Sequence, residues 1–442
     1  MEKVRGYLFI GLAACGFTPG HATSSDGGDD GPLSTDDAAP LLPIDAQLGD
    51  APNVCESWHP VHFMPCLLGS PMPALTLTAA ASPYKYDTTT DGGILTDKNG
   101  TEVLRSALTI QQSDTSYVAV LSVASFTVAN GTLVDVVGPK PLLVASWGML
   151  DVMGEIDVGS HTTETDATAH IQQTTTFGAG ASLATCSAFG SVAGPTLATA
   201  GQVAVLSGGS GGGGGGAFAG AGGNGAVGDT NCTGGNTCPR AGGMGATGGA
   251  MPTLLRGGCG GADSGAAGPG ALTPATATTV SKGGLGGGAI ELAAMGDLHV
   301  PGTIRAGGAA GAGAPQGSAV GGGGGGAGGY IGLDSHNMVM TGGTLAANGG
   351  GGGGSGPFAD HGHVGQDGQA SQTAANGGAP YGGGMCGLAG ANGSTTGNGA
   401  GATGNDACGG GGGGGGAGWI IAYTMNHAGG GTISPSLTVV VH

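Results

Sequence analysis

Between residues 103 and 158, aliphatic and β-branched residues alternate with small or polar ones, the period of two that marks strands with one face buried. Residues 118–120, 126–128, 133–136 and 150–152 show it most clearly, and no stretch carries the period of an amphipathic helix. The pattern then repeats. LLVASWGMLDVMGEIDV at 142–158 aligns without a gap on IELAAMGDLHVPGTIRA at 290–306, setting Leu142 with Ile290, Val144 with Leu292, Leu150 with Leu298 and Ile156 with Ile304. The frame returns at 331–347 and, degraded, at 419–435. A Gly-Thr-Ile/Leu step recurs at 131–133, 302–304, 343–345 and 431–433, where glycine suits a bend and the aliphatic residue re-enters the core.

Such a unit cannot bury its apolar face alone, so successive units are expected to stack. The predicted fold is all-β, a parallel β-helix-like solenoid over 118–442 carrying long glycine-rich insertions. Those insertions include the tracts 211–216, 321–326, 349–354 and 409–416. Glycine supplies 106 of the 442 residues, a share that composition alone would assign to low complexity. The tracts lie too regularly beside strand units for plain linkers. They are read as polyglycine II, extended analogues of the polyproline II helix at about 3.1 Å per residue that hydrogen-bond to one another. Ordering each glycine costs about 0.5 to 1 kcal/mol relative to alanine, so cross-links matter here.

The chain ahead of the solenoid divides in three. Residues 1–14 read as a signal peptide of lipoprotein type, with Lys3 and Arg5 preceding the apolar run YLFIGLAA, which is too short to span a bilayer. LAAC at 12–15 resembles a lipobox and makes Cys15 the lipid-attachment residue; ordinary cleavage after Ala22 is the alternative, and both export the chain. Residues 15–53, rich in Asp and without Lys or Arg, read as an acidic disordered tether. Residues 54–117 read as a cysteine-containing cap.

Setting Cys15 apart leaves eight cysteines, an even number suited to an oxidising compartment. Proximity pairs Cys55 with Cys66, Cys232 with Cys238 and Cys386 with Cys408, leaving Cys186 for Cys259, although roughly a hundred connectivities exist. The net charge of −18 argues against a nucleic-acid partner and against anionic membrane surfaces, so the lipid anchor is the only membrane contact expected.

Candidate chemistry is sparse. GGSGG at 208–212 matches the nucleophile-elbow pattern, but no helix follows it. Asp360, His361, His363 and Asp367 form the densest set of metal-ligand types, His-x-His placing two rings on one side of an extended segment; a solvated polar loop is the competing reading. GCGGAD (258–263), GHVGQD (362–367) and GATGND (401–406) approximate a calcium-roll repeat, but lack its second glycine and are separated where a roll needs consecutive repeats, so no cofactor is expected and calcium is only the alternative. A polysaccharide-acting site would need acidic and basic residues gathered on one strand face. Asp151, Glu155, Asp157, Glu291, Asp297, His299 and Arg305 are the candidates, at mostly out-pointing positions where solvated side chains are expected. Trp58, Trp147 and Trp419 read as core.

The runs GPKPLLVA (138–145), GEIDVGSH (154–161), LRGGC (255–259), GGGAI (286–290) and ANGGG (347–351), in that order, resemble a group of uncharacterised glycine-rich surface proteins and lipoproteins of myxobacteria and related bacteria. The resemblance covers residues 118–425 and implies export and a β-solenoid, but no activity. The function expected is a non-enzymatic structural or adhesive protein of the cell surface or envelope, an outer-membrane or cell-surface lipoprotein or a secreted protein. Its expected partners are cell-surface or matrix material, glycans among them. The alternatives are an extracellular polysaccharide-acting enzyme and an ice- or mineral-binding protein, for which Thr132, Thr303, Thr344 and Thr432 would form the binding column.

Overall fold

A computed structural model describes residues 54–164, 173–181, 198–202, 209–228, 240–266, 280–316, 319–356, 361–380, 387–402 and 409–441. Aliphatic alternation builds two sheets. Strands Thr109–Gln111, Tyr117–Val123, Leu142–Ser146, Ala289–Ala294, Tyr330–Ser335, Trp419–Tyr423 and Thr438–Val440 form a seven-stranded sheet, with neighbours in chain order. The second sheet has twelve strands and centres on the long strand Asn337–Ala346. From its first half one ladder runs through Leu298–His299, Leu150–Val152 and Phe126–Val128 to Leu75–Leu77. From its second half another runs through Thr303–Arg305, Glu155–Asp157 and Leu133–Val137 to Tyr84–Asp87. Strand Asn426–Ser434 pairs with both halves.

The repeat read from the sequence is the pairing register of these sheets. Ile290 lies beside Leu142 and Ile331, and Ile331 beside Ile420. Leu150 lies beside Leu298, and Ile156 beside Ile304. These columns meet in one core with Leu77, Tyr86, Val128 and Leu345. Each large aliphatic buried there contributes about 1.5 to 3 kcal/mol.

The solenoid expectation is corrected on two counts. The sheets are mixed rather than parallel throughout: Tyr84–Asp87, Gly93–Thr96 and Glu102–Ser106 pair antiparallel, as do Thr109–Gln111 with Tyr117–Val123 and His161–Glu164 with Gln173–Thr176. Gly93–Thr96 and Glu102–Ser106, for example, are joined through the short polar turn DKNG at 97–100, which reverses the chain before a further parallel strand can be laid down. The glycine tracts, moreover, are not insertions carried on stacked rungs. They pack together as a separate interior, without sheet pairing.

Three tracts occupy the centre of that interior. Gly213 donates to Gly322 O, Gly322 to Gly410 O and Gly410 to Ser210 O, and the cycle recurs three residues on through Gly216, Gly325 and Gly413. Successive residues of one tract bond in three directions: Gly322, Gly323 and Gly324 donate to Gly410, Ala312 and Ala262, while Gly325, Gly326 and Ala327 donate to Gly413, Ala309 and Cys259. A period of three is that of the extended polyproline-type helix, which has no internal hydrogen bonds and must find its partners in neighbouring chains. Glycine is required because the backbones touch. A Cβ at Gly324 would overlap the carbonyl of Gly214, and one at Gly412 that of Gly323. Ser210 is fully buried here, its Oγ donating to Gly265 O at 2.7 Å, so the nucleophile-elbow match is part of the packing.

Helix among the described residues is confined to three 3₁₀ turns, Val54–Glu56, Pro65–Leu67 and Ala79–Ala81; the first two lie at the start of the cap. A disulfide joins Cys55 to Cys66 across these turns, Cα to Cα 5.0 Å. Cys259 is also disulfide-bonded, and its partner lies outside the described residues. Cys15, Cys186, Cys232, Cys238, Cys386 and Cys408 all lie outside them, as do the signal and tether of residues 1–53. Trp58, Phe63 and Leu68 of the cap cover the outer face of the seven-stranded sheet, where they meet Val120, Leu143, Tyr330 and Tyr423. That sheet is therefore buried on both faces, which is why LLVAS at 142–146 reads as a continuous apolar run. No helix among the described residues is long and apolar enough to cross a membrane.

Candidate functional site

Parallel pairing sets like positions of neighbouring strands side by side, about 4.8 Å apart. On the outer face of the twelve-stranded sheet it lines up Lys85, Asp135, Asp157 and Arg305 on four successive strands. Arg305 binds two carboxylates, Asp157 through Nη2 at 2.6 Å and Glu155 through Nε at 2.9 Å. The His161–Glu164 strand leaves this sheet for its own hairpin and brings His161 back over the row. Its Nε2 lies 2.9 Å from Asp157 Oδ2, and its Nδ1 lies 3.2 Å from Asp367 Oδ2. These two hydrogen bonds raise the imidazole pKa to about 10, so His161 is an imidazolium at neutral pH and donates from both nitrogens. Asp157 is only 4% exposed and also accepts from Gly159 N–H. Burial raises the pKa of the neighbouring Asp135 carboxyl, and the Asp157 charge raises it further.

Lys85, Asp135, Asp157, His161, Thr176 and Arg305 line an open cleft of about 330 Å³. Beside it a second groove of about 430 Å³ is lined by Asn130, Thr132, Glu155, Thr303 and Thr344. Of the seven residues expected for a polysaccharide-acting site, Glu155, Asp157 and Arg305 come together here. Asp151 and His299 pair with each other on the other ladder, and Asp297 is exposed, accepting from Asn337. Thr303, Thr344 and Thr432 are in register on adjacent strands, but the row continues into Glu155 and Leu133, and Thr132 precedes its strand.

Glu291 corrects the expectation of a solvated face. It projects from the capped side of the seven-stranded sheet, and its side chain is fully buried. Gly332 lies opposite it in register and leaves room, since a Cβ at Gly332 would press on the Tyr330 ring and the Glu291 side chain. His62 of the cap approaches Glu291, Nδ1 to Oε2 2.6 Å, and packs edge-on against Tyr330 and Tyr423. Asp334 is buried nearby and accepts from Val61 N–H at 2.9 Å. Burial, then the charge of Glu291, pushes the Asp334 carboxyl up to about 7. Burial alone would lower the His62 pKa, but Glu291, by charge and hydrogen bond, and Asp334, by charge, outweigh it and leave it raised.

The expected ligand set is redistributed. Asp367 serves His161, Thr162 N–H and Ala310 N–H, while Asp360 lies outside the described residues. His361 and His363 instead converge with Glu164, a residue not singled out in the sequence, and the three ligand atoms lie within 4.8 Å of one another. Of the calcium-roll residues, Asp263 binds Lys282 at 2.8 Å, and Asp406 lies outside the described residues.

Comparison of the chain with protein-family models, with curated proteins and with solved structures finds no match.

Proposed function

We propose that this chain is a non-enzymatic structural and adhesive protein of the cell surface, either anchored through Cys15 or secreted, and that it contacts glycan or matrix material through the charged cleft. The observation that carries the reading is the in-register row Lys85, Asp135, Asp157 and Arg305 on an open sheet face. The row offers cationic donors and carboxylate acceptors at fixed spacing, the pairing that polyhydroxylated surfaces take up. Asp157 is held by Arg305, His161 and Gly159 N–H, which fixes its carboxylate in place as an acceptor on that face.

The test is a binding screen of the 55–442 fragment against glycans, cell-wall fractions and whole cells. Retention on at least one glycan or wall fraction, reduced about tenfold or more by Arg305→Ala, is expected; such a loss corresponds to about 1.4 kcal/mol. Retention unaffected by Arg305→Ala and Asp157→Asn would remove the cleft from the contact. A second reading, an enzyme acting on polysaccharide, draws on the Asp135 carboxyl, whose pKa burial and the neighbouring Asp157 charge raise, beside a second carboxylate on the adjacent strand. Shortened oligosaccharides released from a retained glycan, and abolished by Asp135→Asn, would favour it.

A further inference from the structure

We propose that Glu164, His361 and His363 form a binding site for a divalent transition metal of the zinc class, which fastens the His161–Glu164 hairpin strand to the glycine-rich interior. The ligand atoms, two imidazole nitrogens and a carboxylate oxygen, lie within 4.8 Å of one another. Four-coordinate zinc takes this kind of donor set, leaving one position for water or an external ligand. Calcium and magnesium favour oxygen-only shells, so two imidazoles select against them.

The histidines are held in place by backbone. Gly362 N–H donates to Ala314 O at 2.8 Å, His363 N–H to Ala379 O at 3.0 Å, and His363 O accepts from Gly354 N–H at 2.9 Å. The two rings stand edge to face, centroids 5.2 Å apart. The third ligand arrives from a distant segment, and its approach is fixed independently: Asp367 accepts from Thr162 N–H, two residues before Glu164, and from Ala310 N–H. A site whose donors sit on anchored backbone from two directions needs only a small closure to take an ion, and metal binding by preorganised ligands is correspondingly tight.

The experiment uses the full chain, stripped with chelator and titrated with zinc by calorimetry, with cobalt(II) absorption as a second readout. One equivalent of zinc is expected to bind and to raise the unfolding temperature. Cobalt(II) should give the intense visible bands of a tetrahedral site, and zinc should displace it whereas calcium should not. Affinity should fall at least roughly tenfold in His363→Ala and in Glu164→Gln, the second keeping the side-chain shape, and stay unchanged in His299→Ala. Chelator-treated variants that unfold at the parent temperature show that the loss belongs to the site. Zinc uptake unchanged in a His361→Ala/His363→Ala double variant, or no uptake by the parent, would overturn the proposal.

Discussion

Gly412→Ala is expected to abolish cooperative folding, or to lower stability by more than about 4 kcal/mol, the range reserved for severe core disruption. The added methyl would overlap the Gly323 carbonyl oxygen. Residue 412 cannot move aside, because its N–H donates to Gly353 O at 2.9 Å and its carbonyl accepts from Ala391 N–H at 2.8 Å. Overpacking among side chains typically costs about 1 to 3 kcal/mol because rotamers adjust; here the obstacle is backbone on several sides. The whole folded state is worth only about 5 to 15 kcal/mol. Gly397→Ala is the control, since no heavy atom lies within 4 Å of its Cβ position, and it should change stability by no more than about 1 kcal/mol. Urea unfolding with disulfides intact compares the two. Equal midpoints would mean that the tracts are not in backbone contact.

The buried Asp334 carboxyl should write itself into the pH dependence of stability. The Asp334 pKa is raised from 3.8 to about 7 by burial and by Glu291, so its folded form holds the proton more tightly than the unfolded chain does. The stability it contributes is present in full below pH 3.8 and lost as pH rises through about 7. The loss is on the order of 4 kcal/mol. His62, also raised, has the same sign, its contribution fading as pH climbs above 6.5 and through its folded value. Asp334→Asn keeps an acceptor for Val61 N–H and removes the titration, so its profile should be flatter between pH 4 and pH 8 and its stability higher than the parent's at the upper end. His62→Ala should be destabilising near neutral pH by about 3 to 5 kcal/mol, because it leaves Glu291 buried without its partner. Denaturant melts across this range measure both. A parallel course for parent and Asp334→Asn would show that Asp334 is ionised in the folded protein at neutral pH.

Aliphatic alternation made the strand register legible: Leu142, Ile290, Ile331 and Ile420 stand side by side as the repeat implies. It could not show what covers a sheet. Glu291 alternates with Ile290 and Leu292 as an outward residue would, and only the cap turns that outward face into an interior. That the glycine tracts hydrogen-bond to one another was legible, but a residue without a side chain carries no pattern to say which tract lies against which. Their mutual packing, and with it the departure from a solenoid, is invisible in composition. At the metal cluster, His-x-His was legible as a motif. Glu164 was not, because the hairpin that delivers it is distant in the chain, and Asp367, close in sequence, faces His161 instead.

The central tracts also fix an order of events during folding. Gly213 bonds to Gly322, and Gly413 bonds back to Gly213, so the partners of one short segment lie roughly one hundred and two hundred residues downstream, separations that slow folding through loop-closure entropy. Strands near the start of the chain can pair as soon as they exist, whereas the tract at 210–216 has no complete set of partners until the chain has been made through residue 416. A polypeptide emerging from a ribosome would thus carry the tract at 210–216 unsatisfied until residue 416 has been added. Loss of the one short tract at 409–416 would leave the central cycle open along its whole length, a defect out of proportion to the length removed.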